Sequence, residues 1–81
     1  MNFRAALQMA FQCGGEKVAN LENPSNATEK RRFDAILGTE TKEDIASAAE
    51  IESFEQFSQN EKDALLFAYC NGWTAEVRCH N

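Results

Sequence analysis

Apolar side chains in the first third of the chain recur at helical spacing. Leu7, Phe11, Gly14, Val18 and Leu21 advance by alternating steps of four and three, which places them on one helical face, and Phe3 leads into the series. Gly14-Gly15 falls in the middle. Either the helix closes at Cys13 with Gly14 as a left-handed cap, or one helix runs on to about Asn23, each helical glycine costing about 1 kcal/mol against alanine. The unbroken phase favours continuity, or a stop and restart on nearly the same axis. Pro24 pushes Asn23 out of helical conformation and ends the element there.

A second helix is expected from Ser25 or Asn26, with Glu29 completing a capping box on Asn26, a buried stripe of Phe33, Ile36 and Leu37, and Gly38 as C-cap. A third opens at Thr41-x-x-Asp44 with acids in its first turn, and Ile45, Ala48, Ala49 and Glu52 share its face. The phase then shifts to Ile51, Phe54 and Phe57, which predicts a bend at 50–53, with Ser53 as a break or cap, and a short helical turn after it. Ser58-Gln-Asn-Glu61 is the clearest capping box in the chain. It starts a helix through Leu65, Leu66, Ala68 and Tyr69 that is expected to end at Asn71-Gly72, with Trp73 closing that end. The uninterrupted apolar run from Ala64 to Cys70 predicts a central helix buried on most of its girth. The last residues, from Thr74, read as helical or irregular, because no other segment alternates with period two and a lone strand has no partner.

These elements predict an all-α fold, a compact bundle of about four to five short helices in a single domain spanning 1–81. The 43% apolar content and the six Phe, one Trp and one Tyr suffice for a core in 81 residues. No apolar run approaches the roughly 18 residues that span a bilayer, so a cytoplasmic protein with no membrane partner is expected. Three cysteines, Cys13, Cys70 and Cys79, do not have the spacing of a disulfide framework. They read as reduced, partly buried thiols.

The residues argue against catalysis. The one histidine, His80, sits beside the last residue, where a positioned general base is seldom found. Cys79-His80 with Cys70 and Cys13 lacks the C-x-x-C pair that anchors a zinc site. Gly14-Gly15 has no phosphate-loop context. The carboxylates match neither a calcium loop nor a di-metal pattern. No enzyme activity, cofactor or metal is expected.

Charge is the remaining signal. The net −5 is concentrated between residues 39 and 63, where Lys42 and Lys62 stand against eight acids. Glu40, Glu43, Asp44, Glu50, Glu52 and Glu55 are the candidate partner-binding acids, suited to a basic protein or to a protein that itself binds nucleic acid. Lys30-Arg31-Arg32 is the opposite patch, and its pairing with the acids of another copy admits a homodimer. Phe54, Phe57 and Trp73 are candidate aromatic anchors wherever their rings are exposed. The acidic balance argues against direct nucleic-acid binding. The implied function is a small, acidic, non-catalytic regulator or inhibitor that occludes a partner's surface, a class that phages and other mobile elements often encode. The alternatives are a small nucleic-acid-associated regulator using the basic helix, and an accessory subunit of a larger complex.

Overall fold

The computed structural model describes residues 1–20 and 38–79. Every element among them is helical: α1 (Phe3–Ala19), α2 (Thr39–Ala48), a 3-10 turn (Phe54–Gln56) and α3 (Gln59–Cys79). Among the described residues there are three α-helices, where about four to five short ones are expected for the whole chain. The second predicted helix, from Ser25 or Asn26 to Leu37, lies outside the described residues.

Neither Gly14-Gly15 nor Asn71-Gly72 ends a helix, and the continuity that the unbroken apolar phase favours in the first helix is present. α1 passes through Gly14-Gly15 without interruption, and α3 passes through Asn71-Gly72 and on to Cys79. The segment from Thr74, expected to be helical or irregular, is helical and forms its last two turns, and Trp73 lies inside the helix rather than closing it. The reason is steric. A Cβ at Gly14 would run into the Tyr69 carbonyl oxygen and sit 3.0 Å from the Trp73 nitrogen, and one at Gly72 would run into the Phe11 carbonyl group. These are backbone atoms of the facing helix, which cannot swing aside. Neither glycine has positive φ, so they are required by the close approach of two helices and not by a turn.

Contacts along this seam give the orientation. The Phe3 ring packs edge-on against Phe57 at 6.1 Å, just ahead of α3, while Phe11 and Gly14 meet Gly72 and Tyr69 further along both helices. α1 and α3 therefore run in the same direction. α2 runs back alongside α1: the Asn2 N–H donates to the Ala49 carbonyl at 2.9 Å, and Glu40 and Asp44 of α2 act on Cys13. The core follows from this arrangement. Ala6, Ala10, Cys13 and Val18 of α1, Ile45 of α2 and its C-cap Ala49, Phe54 and Phe57, and Leu65, Tyr69 and Trp73 of α3 form one buried cluster. The buried face of α1 keeps Gly14 and Val18 of the expected one but is turned toward Ala6, Ala10 and Cys13. Small residues make the contact, Leu7 is half-buried, and Phe11 is left 47% exposed. Leu21 lies outside the described residues.

The helix ends are set locally. The Asn2 side chain accepts from the Ala5 N–H at 3.1 Å and starts α1. Gly38 is the N-cap of α2, its carbonyl accepting from the Lys42 N–H at 2.9 Å, so the helix opens two residues before Thr41, while the helix that Gly38 is expected to close lies outside the described residues. The Ser58 box forms as expected: the Ser58 N–H donates to Glu61 Oε1 at 2.8 Å and the Glu61 N–H to Ser58 Oγ at 3.2 Å. The bend at 50–53 is present, and Ser53 Oγ accepts from the Glu55 N–H to cap the 3-10 turn. α2 ends in a Schellman arrangement, with the Ile51 N–H donating to the Ala46 carbonyl and the Glu50 N–H to that of Ser47. Its left-handed position is held by Glu50, at φ 61°, where glycine is the usual occupant.

Two predictions follow from this backbone. Gly14→Ala and Gly72→Ala should each lower stability by at least about 1–3 kcal/mol, because the new methyl group forces the helices apart. Gly15→Ala should raise it by about 0.5–1 kcal/mol, since its Cβ would meet the Gly72 oxygen only at an ordinary 3.6 Å. Urea titrations of the three variants check the opposed signs. Separately, Glu50→Gly relieves a left-handed non-glycine residue of about 1 kcal/mol, which in a domain of this size should raise Tm by roughly 4–8 °C. An unchanged or lowered Tm would contradict that assignment.

Candidate protein-interaction surface

The six candidate acids are all exposed, but they do not form one face. Glu43, Glu52 and Glu55 border an open groove of about 270 Å³ between α2 and the 3-10 turn, with Ala46 and Phe54 at its base. Glu40 and Asp44 lie elsewhere on α2, close enough to Cys13 for their charges to act on it together with that of Glu16 from α1. Glu50 stands at the far end of α2, in the turn. Glu52 is outside α2 and does not share its buried face. The fold therefore splits the acids and recruits Glu16, which a count by sequence segment assigns to a different region.

The groove has a definite local structure. Lys42 and Lys62 hold their ammonium groups 5.5 and 5.8 Å from the centre of the Phe54 ring, an attraction between cation and ring quadrupole. Lys62 also pairs with Glu55 at 2.7 Å. That hydrogen bond, then the charge of Lys62, holds the Glu55 carboxyl below its usual range. The Glu52 N–H donates to Gln56 Oε1 at 3.2 Å and fixes the chain at the groove's edge. Glu43 and Glu52 are exposed at the border of the same groove.

The aromatic candidates are placed differently from a set of anchors. Phe54, Phe57 and Trp73 are 7%, 4% and 3% exposed and belong to the core. Phe54 and Phe57 pack edge-on at 5.4 Å, and Tyr69 lies 6.4 Å from Trp73. Exposed rings are found instead at Phe67, 69% exposed, and at Phe11. Phe67 lies two positions from both Leu65 and Tyr69, on the opposite side of α3 from its buried stripe. An apolar run of seven residues covers every direction around a helix. The expectation that α3 is buried on most of its girth fails at Phe67. The basic candidates Lys30, Arg31 and Arg32 lie outside the described residues.

The three thiols are free, with Cys13 buried, Cys70 half-buried and Cys79 exposed. Among the described residues no group of three potential ligands is gathered in a metal-binding arrangement, and no helix is long and apolar enough to cross a membrane. No protein-family model matches the chain, and neither does any curated protein or solved structure.

Burial, and then the carboxylates of Asp44, Glu16 and Glu40, push the Cys13 thiol up from 9.0 to about 11. The folded value is the higher one, so protonated Cys13 favours the folded state fully below about pH 9 and loses that contribution as pH rises through about 11. Burial raises Tyr69 as well, in the same direction. Tm should therefore fall reversibly between pH 9 and 11, and Cys13→Ala should make that fall shallower. An identical slope in the variant would show that Cys13 has no part in it.

Proposed function

We propose that this chain is a small, acidic, non-catalytic protein-binding regulator that acts by covering a basic surface of its partner. The groove between α2 and the 3-10 turn is its docking surface. The observation that supports this reading is the placement of Glu43, Glu52 and Glu55 around the Ala46–Phe54 floor. Exposed carboxylates at an interface rim contribute little to the stability of the fold. They accelerate encounter with a basic surface and reject acidic ones. Lys42 and Lys62 lie over the Phe54 ring at the floor.

Capture of a protein partner from nuclease-treated lysate by wild type and by the Glu43→Lys/Glu52→Lys variant tests this reading. The expected result is a stoichiometric partner whose retention weakens as salt rises and drops by roughly tenfold in the variant, with Tm unchanged. Retention that ignores both salt and charge reversal would rule the acidic groove out. A second reading, an accessory subunit of a larger complex, is favoured by the exposure of Phe67. Phe67→Ala should leave Tm unchanged and weaken assembly if that reading holds.

A further inference from the structure

Phe67, at 69%, is the most exposed large apolar side chain among the described residues. Helical spacing sets Asp63 one turn before it, Cys70 and Asn71 one turn after it, Thr74 two turns after it and Arg78 three. The six form one stripe along α3, on the side opposite the buried Leu65, Tyr69 and Trp73. Asp63, Asn71 and Arg78 are exposed, and Cys70 and Thr74 are half-buried. Gln59 donates to Asp63 Oδ1 at 3.0 Å, and because the donor is a neutral amide the charge of the carboxylate stays in place.

The order of residues along the stripe selects the occupant. Asp63 and Arg78 are equidistant from a point between Cys70 and Asn71, and so are Phe67 and Thr74. The stripe is therefore complementary to itself when reversed. We infer that the outer face of α3 docks the same face of a second copy of this chain, antiparallel, about a two-fold axis beside Cys70 and Asn71. Each Asp63 then faces Arg78 of the other copy, and each Phe67 ring is seated on Thr74 of the other copy. Parallel pairing would oppose Asp63 to Asp63 and Arg78 to Arg78, so the charges fix the direction. From Asp63 to Arg78 the stripe runs about 22 Å. A single pair of helices in contact over that length lies at the small end of interface sizes, and a dissociation constant on the order of 100 µM is expected. The dimer does not use the acidic groove, and it commits Phe67 to a second copy of this chain.

Sedimentation velocity of the purified protein in reducing buffer, from micromolar to near-millimolar concentration, tests this. Wild type should pass from monomer to dimer, and Phe67→Ala should weaken the dimer by about tenfold. Asp63→Arg and Arg78→Asp should each stay monomeric while keeping the helical circular dichroism of wild type. An equimolar mixture of those two variants should recover the dimer, because every reversed charge then faces an opposite one. A short bismaleimide should link the Cys70 thiols of the two copies, and equally so in Cys79→Ser. A wild type that is monomeric at every concentration would overturn the proposal and leave Phe67 to the accessory-subunit reading. A dimer that persists in both charge variants, or a mixture that stays monomeric, would overturn it as well. The Glu43→Lys/Glu52→Lys variant should dimerise as wild type does, so loss of the dimer and loss of lysate capture report on separate surfaces.

Discussion

The backbone of α1 touches the backbone of α3 at Gly14 and Gly72, and the rest of the fold is arranged around that contact. Helices held this close leave no room for large side chains between them, so Ala6 and Ala10 line the rest of the α1 seam and the bulky residues are displaced to its edges. Phe3 meets Phe57 at one edge, while Phe11 is left half in solvent. The contact also fixes polarity. Two helices that run the same way need a returning element, and α2 supplies it, docked by the Asn2–Ala49 hydrogen bond.

The turn after α2 carries the second constraint. Its Schellman hydrogen bonds reverse the chain within two residues and aim Phe54 and Phe57 into the core. Glu50 occupies the left-handed position at a conformational cost that glycine would avoid. Because the reversal is tight, α2 and the 3-10 turn lie side by side with Phe54 between them, and the acids of both elements border a single groove. The acidic surface is thus a consequence of the turn and not of any one helix.

Much of this was legible in residues whose signal has one meaning. Ser58 and Glu61 form the expected reciprocal cap, Ser53 caps the short turn, and the phase shift at Ile51 marks the bend. Gly72 carries a signal with two meanings, a helix end or a close approach, and only the facing Phe11 carbonyl decides between them. Gly38 is ambiguous in the same way between the end of one helix and the start of the next. The acids read as one stretch of sequence, but a helix turns them to different sides, and Glu16 joins Glu40 and Asp44 only once α1 and α2 are packed. The exposure of Phe67 is set by which side of α3 meets the core, which an uninterrupted apolar run does not report.

The central claim is that α3 continues through Gly72 because that glycine lies directly against the α1 backbone. The most direct test is a carbon-edited nuclear Overhauser experiment on the labelled protein, which looks for cross-peaks between the Gly72 α-protons and Phe11. The account predicts such cross-peaks, together with continuous helical amide contacts from Tyr69 to Glu76. A helix that stops at Asn71, with no contact between Gly72 and α1, would contradict it.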